Sequence, residues 1–235
     1  MSISRLFQRI SQAAEGRPLL TVAVLTGLGA LVALGLRLQG PPPTALALTP
    51  VVESVLRDAG SPRAGAADAD VVVVVFTDYR CPVCRRTDGA LERLLASDAR
   101  VRVHFKDWPI LGEASRLGAR AALAAERQGK YLALHRALME DPAPLTAERL
   151  PDVARTAGLD AERLARDMAE HGRDIDEQLN RHAAQAFALG LRGTPAYLVG
   201  PHLIEGGLDD GKLTRAVAKA RRAGPPRPPG QIAPR

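Results

Sequence analysis

Two kinds of hydrophobic pattern divide the chain. The stretch "LLTVAVLTGLGALVALGL", Leu19 to Leu36, runs 18 residues without a charge. As a helix it would span about 27 Å, close to the hydrocarbon thickness of a bilayer. Arg5, Arg9 and Arg17 precede it and only Glu15 opposes them, so the positive-inside rule keeps residues 1–18 in the cytoplasm. Residues 19–38 are then a transmembrane anchor, and everything after them is exported. A cleaved signal peptide is the rival, with "ALA" (Ala45–Ala47) as a small-residue cleavage site. The apolar run is longer than such a signal needs, however, and Ala47 lies far beyond its end. A buried core helix flanked by Arg and then by "GPPP" would have nothing to pack on.

Beyond the anchor the pattern alternates between sheet and helix. Residues 39–70 read as a linker and N-terminal segment. "GPPPTALALTP" is a stiff spacer, "VVESVLRDAG" a short helix ended by Gly60, and "SPRAGAADAD" a loop. "DVVVVVFTD" is a β-branched run bounded by acids, the mark of a strand buried on both faces. Cys81 then opens a helix to about Ala96, with Pro82 in its first turn. "RVRVHFKDW" (100–108) alternates as a second strand and Pro109 ends it. Strand, helix and strand in so short a span predict a parallel pair.

From Glu113 to Leu189 the period turns helical, with about five helices, two of them opening on Thr146 and Asp160 without the Glu of an ideal capping box. Sheet resumes in "TPAYLVGPHLIEGG", two short strands around Gly200–Pro201. A terminal helix follows in "DDGKLTRAVAKARRAG", and residues 224–235 are a disordered tail. The layout is an α/β domain in two pieces, 71–112 and 191–223, interrupted by a helical insertion at 113–190.

Composition narrows the function. With 235 residues and 46% hydrophobic content the chain can bury a core, though aromatics are only 3% and packing must be mainly aliphatic. The net charge is +6, but residues 41–235 carry 28 basic against 25 acidic groups. Basic residues are spread out, with no recognition motif, which argues against nucleic acid as a partner.

The chemistry sits in "TDYRCPVCRRTDG". Cys81 and Cys84 are the only two cysteines. C-x-x-C spacing lets two sulfurs close a disulfide and sets the first at a helix N-terminus, where free N–H groups and the helix dipole favour a thiolate. Cys81 is then a reactive attacker and a good leaving group, and Cys84, one turn in, the resolving thiol. Export places the pair in an oxidising compartment. A zinc site is the competitor, but none of the five His is paired at ligand spacing. A purely structural bond closing so short a loop would stabilise little.

"FTDYRCPVC", "VHFKDWPILG", "GTPAYLVG" and "IEGG", in that order, resemble the DsbA-like thioredoxin-fold thiol–disulfide oxidoreductases, in particular an exported, membrane-tethered bacterial branch. The resemblance covers about Val71 to Arg222. It implies a thioredoxin fold whose helical domain is inserted between its two halves, Cys81 as nucleophile, and a cis Thr194–Pro195 bond beside the pair. There the Thr194 backbone would pair with an extended substrate. It also implies no cofactor beyond the redox-active Cys81–Cys84 disulfide.

One departure stands out. The resemblance implies a buried carboxylate six residues before the first cysteine, moving protons for the inner thiol, but the residue there is Val75. Asp78, Lys106 and Asp107 are the ionisable candidates nearby. Asp78 reads as a strand-end or cap residue and Lys106 as the better electrostatic support. Pro82 and Val83 tune the potential, and Arg85 and Arg86 either help hold charge on sulfur or face solvent. Trp108 reads as core, His104 as a satisfied or exposed strand residue, and His135, His171, His182 and His202 as surface.

These features together point to a periplasmic oxidase of exported proteins on the inner membrane, reset by a membrane redox partner. A reductase or isomerase is the alternative within the class. Outside it stands a thioredoxin-fold chaperone or assembly factor with incidental cysteines.

Overall fold

The structure, a computed structural model, describes Val22, residues 24–30 and residues 44–224. Val22 and residues 24–30 are helical and exposed. Among the described residues no helix is long and apolar enough to cross a membrane. The cytoplasmic segment 1–18, most of the anchor 19–38 and the tail beyond Gly224 lie outside the described residues.

Residues 44–224 build one six-stranded sheet covered by helices. The chain enters through a two-residue strand, β1 (Thr44–Ala45), then helix α1 (Pro50–Leu56) and a three-residue strand, β2 (Arg63–Gly65). β3 (Val71–Thr77) leads into α2 (Pro82–Thr87) and α3 (Gly89–Ser97), and the chain returns along β4 (Val101–Asp107). Helices α4 (Glu113–Ala125), α5 (Tyr131–Glu140), α6 (Leu150–Thr156), α7 (Ala161–Glu170) and α8 (Gly172–Ala188) follow. The hairpin β5 (Ala196–Val199) and β6 (His202–Glu205) and helix α9 (Asp210–Ala223) complete the fold.

The sheet order is β1-β6-β5-β3-β4-β2. β3 and β4 are parallel, in register from Val71↔Val101 to Thr77↔Asp107, and β3 runs antiparallel to β5. The valine run of β3 reads without alternation because both of its faces are covered. Val71, Val73 and Val75 point into the main core with Tyr79, Cys84, Leu91 and Leu134. Val74 and Phe76 point into a second core with Val52, Val55, Trp108 and Ala186.

Several expectations need correction. The presumed spacer and loop supply both sheet edges: β1 pairs with β6, and β2 pairs with β4 from Arg63↔His104 to Gly65↔Arg102. Strands of two and three residues are too short to show a period of two. Gly65 has φ +95°, and a Cβ there would collide with the Val101 carbonyl, so the sharp exit from β2 requires glycine. The helix expected from Cys81 to Ala96 is two helices broken at Asp88, and Gly89, a weak helix former, opens the second. Three histidines assigned to the surface are interior: His135, His182 and His202 are 3%, 0% and 6% exposed.

Candidate active site

β3 ends in a turn that Asp78 holds from within. Its carboxylate accepts from Arg80 N (2.7 Å) and Ser115 Oγ (2.6 Å) on one oxygen, and from Ile110 N (2.7 Å) and Leu111 N (3.0 Å) on the other. Its carbonyl accepts from Cys81 N at 3.1 Å. One buried side chain thus clasps the cysteine turn to the β4–α4 loop, where Ile110 and Leu111 are exposed.

Cys81 is the N-cap of α2, with extended backbone and Pro82 at the first helical position. Its sulfur accepts from Cys84 N at 3.4 Å and donates to the Thr194 carbonyl at 3.3 Å. The Thr194–Pro195 bond is cis. Cys81 and Cys84 are both free thiols. Burial pushes the Cys84 thiol up to about 12, against the pull of the Asp78 backbone, Thr194 and Thr77. On the far side of α2, a Cβ at Gly207 would stand 2.7 Å from Val83 Cγ1 and 2.9 Å from Thr87 Cγ2. That close approach is the physical reason for glycine in "IEGG".

Lys106 does not join this group. Its register partner is Phe76, on the face opposite Val75, and its ammonium bonds Asp58 Oδ2 at 2.5 Å. It is fully buried, not solvated. Burial pulls the Lys106 pKa down while Asp58 opposes the fall. Burial likewise works against the ionised Asp58, yet Lys106 prevails and holds it at about 2. His182 Nδ1–H donates to the Asp107 carbonyl (3.1 Å), which leaves Nε2 of the neutral ring to accept from Ser61 Oγ (3.1 Å), and burial with Lys106 nearby drops its pKa to about 3. His104, expected to be satisfied or exposed, is 4% exposed and neither ring nitrogen has a protein partner among the described residues.

The cysteine face of the sheet holds a second buried polar cluster. Tyr79 Oη donates to Asp107 Oδ1 at 2.9 Å and meets His135 Nδ1 at 3.0 Å. Tyr131 Oη also donates to Asp107, at 3.1 and 3.2 Å, and His135 Nε2 meets Asp88 Oδ1 at 3.0 Å. Burial raises the Asp107 carboxyl to about 6, with His135 and the two tyrosines opposing. Burial disfavours a charged His135, but Asp88 and then Asp107 outweigh it and its pKa is raised. Sequence reasoning missed this cluster: Tyr79 and Tyr131 carry no local motif that marks them, and His135 reads as a surface imidazole.

The structure therefore gathers Cys81, Cys84, Asp78, Thr194 and Pro195, with Pro82 exposed and Val83 half-buried on α2. Arg85 bonds the Asp141 carbonyl and Arg86 is exposed. Trp108 packs in the second core against Phe76 and Phe187, as expected. Among the described residues no group of three His, Cys, Asp or Glu is placed to hold a metal ion. A cavity of about 630 Å³ beside Arg136, Asp141 and Arg149 is bordered by neither cysteine.

Residues 72–218 match the family of DSBA-like thioredoxin domains. A thioredoxin-like oxidoreductase from Silicibacter pomeroyi superposes with TM-score 0.68 at 40% identity, covering 72% of this chain and 97% of that one. A probable disulfide bond formation protein D from Bacillus cereus is 28% identical, over 66% of this chain and 76% of the relative. A Na(+)/H(+) antiporter NhaA 1 from a Mycobacterium strain is 29% identical over 67% of this chain, and the match spans only 26% of that longer protein.

Proposed function

The chain belongs to the family of DSBA-like thioredoxin domains, and we propose that it is a thiol–disulfide oxidoreductase that introduces disulfides into exported proteins through Cys81 and Cys84. The family works through a redox-active cysteine pair and needs no external cofactor. The observation that carries the reading is the setting of Cys81 Sγ, between the first turn of α2 and the Thr194 carbonyl. Negative charge on that sulfur is met by the backbone N–H of Cys84 at the start of α2. The inner sulfur is buried and costly to ionise.

A client thiolate attacks Cys81 Sγ of the Cys81–Cys84 disulfide, and Cys84 leaves as a thiolate that takes up a proton. A second client thiolate then attacks the client sulfur of the mixed disulfide and Cys81 leaves. The client loses two electrons and the pair gains them. The Thr194 backbone lies where an extended client segment can pair, and Ile110 and Leu111 offer exposed aliphatic surface next to the clasped turn. A membrane redox partner resets the pair by accepting the two electrons.

Residues 19–38 anchor the domain to the inner membrane with residues 44–224 in the periplasm. This rests on the uncharged run and its preceding arginines.

The test is the reduction potential of the protein against glutathione. A value near about −120 mV marks a disulfide donor, and one near about −270 mV a reductant. The second result would replace oxidation with reduction. Retention in membranes after an alkaline wash checks the anchor.

A further inference from the structure

From Tyr79 to Thr87 the segment that carries both cysteines holds three arginines, Arg80, Arg85 and Arg86, and no acid. Arg80 directly precedes Cys81, so their Cα atoms lie about 3.8 Å apart, and it is half-buried. With Arg85 it lines a narrow cleft shared with Leu138, Asp141 and Leu145 of the helical insertion. Arg85 is tied to the Asp141 carbonyl. Among the described residues neither Arg80 nor the exposed Arg86 has a hydrogen-bond or ion-pair partner for its guanidinium. The acids around the turn are mostly engaged. Asp78 is buried among its donors and Asp88 meets His135. Asp141 accepts from Arg149 at 2.9 Å, and Glu205 lies 3.7 Å from Arg192. Glu113, exposed at the start of α4, has no cation among the described residues. The rim of the site therefore keeps a surplus of unmatched positive charge beside Cys81.

We propose that Arg80, assisted by Arg86, makes the site selective for clients with acidic side chains flanking the reacting cysteine. This rests on the oxidoreductase reading of Cys81 and Cys84. In the mixed disulfide the client sulfur is bonded to Cys81 Sγ, and client residues one and two positions away lie within about 7 Å of the client cysteine along an extended segment. That is inside one screening length at physiological salt. A guanidinium offers a planar fork of donors that matches a carboxylate, so Arg80 can hold such a side chain through paired hydrogen bonds. The Cys81 thiolate alone repels an anionic segment and attracts a cationic one, and the unmatched arginines reverse that preference. Arginines that only stabilised charge on sulfur would change the rates of all clients alike.

The test uses the disulfide dimers of two capped pentapeptides that differ only in Asp or Lys on both sides of the cysteine. The Cys81 thiolate attacks one peptide sulfur, the Cys81–peptide bond forms, the peptide–peptide bond breaks, and one peptide leaves as a thiolate. Cys84 then loses its proton to the buffer and displaces the second peptide from Cys81. The two electrons of the protein dithiol end on the peptides. Rapid acid quench and mass measurement of the reduced, full-length protein give the rate of the first step. Each rate is divided by that of free 2-mercaptoethanol with the same peptide, which removes the intrinsic reactivity of the disulfide. At about 20 mM salt the natural chain should then favour the acidic peptide about tenfold, and about 0.5 M salt should largely abolish the preference. Arg80→Gln should cut the preference about threefold, and Arg80→Gln with Arg86→Gln should bring it near one. Equal slowing with both peptides, or an unchanged preference in the double variant, overturns the inference. Absence of any Cys81 adduct overturns the oxidoreductase reading and this inference together. If the variants do not fold, the natural chain decides. An acidic-peptide rate that falls with salt while the basic-peptide rate rises supports the selectivity, and rates that move in the same direction overturn it.

Discussion

The Thr194 carbonyl oxygen lies 3.3 Å from Cys81 Sγ, across 113 positions of chain. The two halves of the α/β domain, separated in sequence by the helical insertion, meet at that contact. It sets Cys81 against the loop that leads into β5, with Cys84 one turn deeper in α2.

The asymmetry predicts opposite outcomes for the two serine variants. Cys84→Ser should capture glutathione or a client at Cys81 and hold it, giving a persistent mass adduct. Cys81→Ser should give no adduct and no exchange. Equal behaviour of the two would contradict the assignment of roles, and full client protection by Cys81→Ser would favour a chaperone.

Lys106 and Asp58 form a buried ion pair on the sheet face away from the cysteines. Removing one partner from such a pair leaves an uncompensated charge and costs about 3 kcal/mol. Lys106→Met should lower stability by about that amount in denaturant titrations, and Lys106→Met with Asp58→Asn should recover much of it. The reduction potential should not move in either. A shifted potential would tie Lys106 to the redox site after all.

His104 is held neutral in the fold, with burial and then Lys106 lowering its pKa from 6.5 to about 4. The unfolded chain binds a proton there below about 6.5, so this residue removes stability as pH falls from about 6.5 toward 4. His104→Leu also removes two ring nitrogens without protein partners. It should raise Tm at pH 5 by about 2–4 °C, corresponding to about 1 kcal/mol, and by less at pH 7.5. Thermal melts across that range decide it, and an equal shift at both pH values would show that charge on His104 plays no part.

Gly207 lets the loop after β6 press directly on α2. Gly207→Ala should push Val83 and Thr87 aside, slow disulfide exchange several-fold and cost about 1–3 kcal/mol through overpacking. Exchange kinetics and melting measured together check it, and a variant indistinguishable from the natural chain would mean α2 yields freely.

Strong local signals carried most of the fold. The valine run and the alternating "RVRVHF" each match an observed strand, because burial on one or two faces leaves a period in the residues themselves, and Cys81 does open a helix, though one that breaks at Asp88. β1 and β2 left none, since their pairing is decided by β6 and β4 rather than by their own composition. For the site, the C-x-x-C spacing and the Thr-Pro pair carry local chemistry that can be read directly. The Asp107–Tyr79–His135–Asp88 chain draws on two loops, a strand and a helix spread over 57 positions, from Tyr79 to His135. A lone His on a helix looks the same in sequence whether it faces water or two carboxylates.

The stretch matched to the family starts at residue 72, yet β1, α1 and β2 all precede it. A protein trimmed to that stretch would bare the outer edges of β4 and β6, inviting sheet-to-sheet association, and would strip Lys106 of Asp58 and His182 of Ser61. Inherited likeness and autonomous solubility thus have different limits in this chain. A working expression boundary belongs ahead of Thr44, some thirty residues upstream of where the shared motif begins.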